Sequence, residues 1–544
     1  MVTRYDLKWI TTRITGGETD RRPPLGLTLL SGAIAATVLS PIVWLLLRTI
    51  NMGIERALEL LVHPSTIQVL LNSIALVIAV TTTSVLLGVP LAVLTVQTSL
   101  PFRRVWTILI ALPLVIPSYI GAFAYVSAFG PRGDLADILS PLGIEEIPSI
   151  YGFGGAVLVL TLYVYPYVFL TTRAALLSFD MTLFDAARTL NQTPWGAFRR
   201  ITVPQIMPGI AAGALLVALY TLSDFGTPAI MHADVLTSVI YVEYNTFARD
   251  AAALLSLQLL ALTVLILAIE SRIQPGNRTA YVSRGVRGMS EISLGRWTAP
   301  ALMLCSTVAL LTIGIPLGIL FVWLFRTSPG DGGIGSGFAF QWAYGWNSVY
   351  VSVLAAIVAI VLAIPVAYLS ARSQSWLATV FNRATYVGYA VPGIVLGLSL
   401  VYFGVTYAPT FYQTLPLLIF AYVVRFLPQA VGTTQTSVLQ VDPTLVEAAR
   451  TLGHSSTGAF RRVTLPLIVP GVVAGATLVF LTTMKELPAT LLLHPTGFDT
   501  LVTYIWLVQS AGYYDQAALP ALVLVGVSGL SMLILLTQEA TDAE

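Results

Sequence analysis

Two carboxylates, Asp185 and Glu447, each lead a pair of alanines and an arginine-bearing stretch. The first reads "DAARTLNQTPWGAFRRITVPQIMPG" and the second "EAARTLGHSSTGAFRRVTLPLIVPG"; fifteen of the 25 positions are identical at an offset of 262. The same offset aligns "TLSDFGTPA" with "TTMKELPAT", so Asp224 and Glu486 form a second matched pair. Carboxylates serve as acids, bases, cation ligands or partners for cations, and their surroundings decide which. Nothing around these four builds an enzyme. His63, His232, His454 and His494 are scattered without ligand spacing, and no arrangement suggests a nucleophile, a catalytic base or a redox cofactor. The single cysteine, Cys305, excludes internal disulfides and cysteine-rich metal sites and reads as a small buried hydrophobe. There is no G-x-x-x-x-G-K-[ST] phosphate loop, and the only lysines are Lys8 and Lys485. No cofactor is expected in this chain, and no metal site is assigned.

The elements that must position these residues are membrane spans. The 544 residues are 56% hydrophobic and 10% charged, against roughly 25% charged in soluble domains. A span needs about 20 mostly apolar residues. Twelve such stretches are expected, at 26–47, 68–96, 105–129, 152–172, 204–222, 251–269, 299–323, 348–370, 377–404, 412–432, 466–484 and 516–537. Residues 1–24 carry five basic side chains, and the apolar run after them is too long for a signal-peptide core. The expected fold class is therefore an all-α polytopic membrane protein embedded in a lipid bilayer. With the N-terminus inside, most of the 28 basic residues fall on the cytoplasmic side while the acidic ones divide almost evenly, which predicts cytoplasmic termini in a cell membrane.

The repeat extends beyond the opening stretch. Asn72-Ser73 matches Asn347-Ser348, Pro90 matches Pro365 and Pro117 matches Pro392, all at an offset of 275 before one shorter outer loop resets it to 262. Two parallel six-span halves follow, 25–270 and 299–538, joined by an arginine-rich cytoplasmic linker at 271–298 and preceded by the tail 1–24.

Each repeated polar segment, 181–209 and 443–471, lies between the fourth and fifth spans of its half. Asp180 and Asp442 precede it as helix N-caps, and Pro443 suits a first helical position. Leu183, Ala186, Ala187 and Leu190, like Leu445, Ala448, Ala449 and Leu452, recur at helical spacing as one apolar face. Asn191 and Gly453 then suit a left-handed turn, and Thr193 or Ser455 can cap a second short helix bearing Arg199-Arg200 or Arg461-Arg462. A helix of about ten residues is not stable alone in water. Its apolar face either packs under the chain's own spans or docks a partner, and the duplication suits a symmetric partner.

This segment resembles the EAA loop of permease subunits of ATP-binding cassette importers: EAA, three residues, Gly, nine residues, then Ile-x-Leu-Pro. Glu447, Ala448, Ala449, Gly453, Val463, Leu465 and Pro466 fit that pattern; the first copy departs at Asp185 and Asn191 and ends on Ile201, Val203 and Pro204. The resemblance implies that each short helix sits in a groove of a homodimeric ATPase on the cytoplasmic side, which binds the ATP and magnesium. Asp185 and Glu447 would face that ATPase, the alanine pairs 186–187 and 448–449 would permit close approach, and Arg188 and Arg450 would pair with ATPase acids, with lipid phosphates or with neither. It also implies an extracytoplasmic substrate-binding protein; no nucleic-acid partner is expected.

"KELPATLLLHPTGFDTLVTYIW", with "SDFG" in the first half, resembles the fused twelve-span permeases of ferric-iron importers. Ferric iron favours oxygen ligands, which would suit Asp224, Glu486 and the tyrosines Tyr163, Tyr165 and Tyr167. The same groups would suit a polyamine, and thiamine or an organophosphonate are further alternatives within the same machinery. Asp224 and Glu486 read either as residues of the path or as solvated helix ends, and the tyrosines either as path residues or as packing and interfacial anchors. An ion-coupled secondary transporter is a rival class, but the middles of the spans carry no coupling charges.

Overall fold

Hydrocarbon offers backbone N–H and C=O groups no partners, so a chain this apolar must pair them within helices. The structure, a computed structural model, describes residues 24–130, 149–178, 196, 198–273, 292–326, 339–373 and 375–541. Among the described residues no strand forms beyond one isolated bridge, Thr98 with Ile292. Nine helices there are long and apolar enough to cross a membrane, or up to eleven if each of two bent pairs is one span. The twelfth expected span, 516–537, falls on the helix Ala518–Thr541, apolar over Tyr514–Leu530.

The spans expected at 105–129 and 377–404 fall on the two bent pairs. Arg103–Val115 meets Ser118–Phe129 at 93°, and Trp376–Ala390 meets Gly393–Tyr407 at 100°. The cause lies in the matched prolines. Ile116 is extended at φ −84°, ψ 122° because the residue before a proline is pushed out of the helical region, and Pro117 and Pro392 then lead the second helix of each pair.

The described chain packs as two units that cut across the sequence halves: 1–44 with 349–389 and 414–484, and 45–348 with 390–413 and 485–544. In the smaller unit the first span lies against the ninth. Gly32 faces the Phe381 ring, and Gly388 is wedged against the Val424 carbonyl and a Val38 methyl. In the larger unit the seventh span lies against first-half helices. Ala301, Cys305 and Val308 join a core with Leu91, Phe169 and Ile206. A π-turn at Leu310–Gly314 breaks the regular ladder of that span, and its carbonyls accept Tyr125 Oη at Leu311 (2.6 Å) and Tyr163 Oη at Thr312 (3.4 Å).

Each unit also contains one copy of a close helix crossing between a fourth and a fifth span. A side chain at Gly213 would collide with Thr171 and Val168, and one at Gly475 with Thr433 and Ala430. Small residues four apart, Gly209 with Gly213 and Gly471 with Gly475, allow this approach of two backbones in lipid.

Candidate functional site

The second repeated segment forms the expected helix, turn and helix. Asp442 accepts the Thr444 N–H at 2.9 Å and Pro443 opens the helix Pro443–Thr451. That same N–H holds the Asp442 carboxyl below its ordinary range, so the cap is ionised at neutral pH. Gly453 takes φ +89°, a left-handed conformation natural to glycine, and the Gly453 and His454 N–H groups return to the carbonyls of Arg450 (3.0 Å) and Ala449 (3.2 Å). Ser455 then accepts the Gly458 N–H at 3.1 Å to cap Ser456–Ala459. A π-turn, Phe460–Thr464, carries Arg461 and Arg462 into the span Leu465–Met484.

The apolar face read from the sequence divides in two. Ala449 is buried, and Val446 packs on a core of Val438, Val441 and Ile468 with Tyr368 and Leu465. Leu445 and Leu452 stay 48% and 81% exposed, and Glu447, Ala448 and Arg450 are exposed with them. The helix thus rests on its own chain along one edge and leaves a second apolar strip uncovered. In the first copy Asp185, Ala186, Ala187, Arg188 and Asn191 lie outside the described residues; Arg199 and Arg200 are described and exposed, in the matching π-turn Phe198–Thr202.

The second pair of carboxylates is buried. Asp224 ends the helix Val203–Ser223 in an extended conformation, and its carboxylate caps the short helix Gly226–Ile230. It accepts the Thr227 N–H at 3.1 Å, the Thr227 hydroxyl at 3.3 Å and the Ser118 hydroxyl, while Tyr220 donates to Ser118 Oγ at 3.3 Å. Glu486 follows the span Leu465–Met484 and repeats the cap, accepting the Ala489 N–H at 3.3 Å at the start of Pro488–Leu493. The Thr490 hydroxyl donates to the Glu486 carbonyl. Lys485 turns away to donate to the Leu114 carbonyl at 3.2 Å, in the turn just before the Pro117 break.

Tyr119 lies where these segments meet. A side chain at Gly226 would run into Tyr119 Cβ and would touch Leu487. The Tyr119 ring is buried, and its hydroxyl has no hydrogen-bond partner among the described residues. Sequence reading missed Ser118, Tyr119, Tyr220 and Thr227. The one available signal was that Ser118-Tyr119 follows Pro117 where Gly393-Ile394 follows Pro392, a departure from the repeat in favour of hydroxyls.

Of the tyrosines expected with this pair, two turn to backbone carbonyls and one stands beside Tyr220. Tyr163 and Tyr165 are buried and donate to the Thr312 and Ile110 carbonyls, the latter at 2.9 Å. Tyr167 is half-buried with its ring centroid 6.0 Å from that of Tyr220. Among the described residues no three His, Cys, Asp or Glu side chains gather to hold a metal ion.

Repeated apolar helices, a bent third span in each half and a capped, partly uncovered helix between spans suit a transport permease. The chain belongs to the family described as binding-protein-dependent transport system inner membrane component, which it matches twice, over residues 84–278 and 359–538. It is 33% identical over 521 residues to an Fe(3+)-transport system permease protein, FbpB 2, of Haemophilus influenzae, covering 95% of this chain and 98% of that one. It is 23% identical over 489 residues to the ferric transport system permease protein FbpB of Actinobacillus pleuropneumoniae, covering 85% of this chain and 70% of that one. The molybdenum transport system permease protein ModB of Mycobacterium tuberculosis is 30% identical over 237 residues, 42% of this chain and 88% of that one.

Proposed function

We propose that this chain is the pore-forming subunit of an importer that takes up ferric iron, delivered by an extracytoplasmic binding protein and driven by a homodimeric ATPase on the cytoplasmic side. The observation that carries the ATPase is the uncovered strip Leu445, Ala448 and Leu452 beside Glu447 on Pro443–Thr451. A large exposed apolar strip at the membrane-water boundary, held in place by a cap and a left-handed turn, is the surface of a docked partner. Asp185 and Glu447 would orient against the ATPase, with Arg188 and Arg450 beside them and Asn191 and Gly453 setting the turns. ATP and magnesium belong to that partner, and both termini of this chain lie on its side of the membrane.

The substrate assignment is supported by two ferric permeases that align along most of the chain, one of them along 98% of its own length. On this reading Asp224 and Glu486 are carboxylates of the path, with Tyr167 beside Tyr220, while the hydroxyls of Tyr163 and Tyr165 serve packing against backbone carbonyls. The test is uptake of radioactive ferric iron by an iron-limited strain with and without the gene. Uptake should collapse in the deletion and return with the wild-type chain; unchanged uptake removes iron from the reading.

A further inference from the structure

The helix Ile54–Val62 is strung between two spans with one residue at each joint. It follows Leu25–Met52 after Gly53, at φ +86°, and precedes Pro64–Gln97 after His63. Such short joints keep it at the ends of the two spans. At about 100° per residue its nine residues divide into three faces. Glu55, Arg56 and Glu59 form a charged face, with Arg56 paired to Glu59 at 2.6 Å. Ala57, Leu60 and Leu61 are half-buried, and Arg56, Leu60 and His63 line one side of a cavity of about 530 Å³ that Asp234 and Glu243 line from the other. Ile54, Leu58 and Val62, at i, i+4 and i+8, are 77%, 54% and 69% exposed. No residue of the helix is buried.

We propose that Ile54–Val62 is an interfacial anchor whose apolar strip lies in phospholipid, at the boundary between headgroups and acyl chains. Two observations select lipid as the occupant. The strip continues into exposed apolar side chains of both flanking helices, Leu46 and Ile50 on one side and Ile67 and Leu71 on the other, and both helices are long and apolar enough to cross a membrane. The charged face stands beside the strip, as in a helix that lies in the plane of a membrane surface. The anchor fixes the depth of the wall that Arg56 and His63 give to the cavity. This inference does not rest on the ferric-iron reading.

The test uses the full-length chain in lipid nanodiscs, with Cys305→Ser as background and single nitroxide labels at Leu58→Cys, Val62→Cys and Glu59→Cys. Oxygen, which partitions into lipid, should relax the labels at 58 and 62 more strongly than a water-soluble nickel complex, with the order reversed at 59. Labels at 58 and 62 as open to nickel as the one at 59 would overturn the anchor. So would labels at 58 and 62 shielded from both reagents, since a protein partner or a second copy would then cover the strip.

Discussion

The helix Pro443–Thr451 and the turn around Asp224 break the ordinary rule of burial in opposite directions. The first leaves leucines exposed; the second buries a carboxylate. Scattered exposed apolar residues need no explanation, but an exposed strip on a capped helix and a buried charge do. The difference teaches where each residue's partner is. Asp224 finds hydrogen-bond partners inside the chain, in Ser118 and Thr227, so whatever it does in transport it also holds the fold. Leu445 and Leu452 find none among the described residues, which is why they are given to a docked partner.

The comparison breaks most visibly if the exposed strip matters to folding. Leu445→Arg with Leu452→Arg should lower ATP-driven uptake at least about tenfold, the loss of about 1.4 kcal/mol of docking energy or more, while thermal unfolding of the isolated permease stays within a degree or so of wild type. A large drop in its unfolding temperature would place the strip with the fold. Reversing the charge of Glu447 alone should cost more uptake than reversing Asp185 alone, because Asp185 and Asn191 depart from the family pattern that Glu447 and Gly453 keep. Equal losses would remove that asymmetry.

Asp224→Ala should do the opposite. It leaves the Ser118 hydroxyl and the Thr227 N–H without their acceptor, which costs about 1–3 kcal/mol, seen in denaturation of the permease alone, with retained ATPase binding in whatever fraction remains folded. Smaller still are the turns that shape the docking helix. Gly453→Ala at φ +89° should cost about 1 kcal/mol, and Ser455→Ala about the same through the lost cap, both read as faster hydrogen exchange across 443–459. The Asp442 cap has a matching pH signature. Its carboxyl is depressed in the folded chain, so its contribution is complete above the ordinary carboxylate range and is lost only as pH falls through the lowered value. Protection of the Thr444 amide should follow that course. The smallest effect belongs to Tyr119→Phe: removing a buried hydroxyl without a partner among the described residues should leave the unfolding temperature unchanged or slightly raised. A clear drop would mean that the hydroxyl is spent in the fold after all.

Much of this was legible in the sequence because it is carried by local rules. Caps at Asp442 and Ser455, the left-handed turn at Gly453 and the apolar length of the spans each depend on a few neighbouring residues, and they appear where their chemistry put them. Features that depend on what lies across the fold were not legible. The helical spacing of Leu445, Ala448, Ala449 and Leu452 gave one face, and only the packing of Ala449 inward separates the resting edge from the uncovered strip. The prolines at 117 and 392 were visible as a matched pair, but not the size of the bends they start, 93° and 100°. The carboxylate at Asp224 was visible too. That it would be buried, held by a serine 106 residues earlier in the chain, was not.

The most direct test is reconstitution of the permease with an ATP-binding cassette ATPase and a ferric binding protein in liposomes, comparing wild type with the Leu445→Arg, Leu452→Arg variant. The account predicts ATP-dependent accumulation of ferric iron by the wild type, and for the variant a folded permease from which the ATPase dissociates and which accumulates none. A variant that keeps its ATPase bound and transports at the wild-type rate would contradict it.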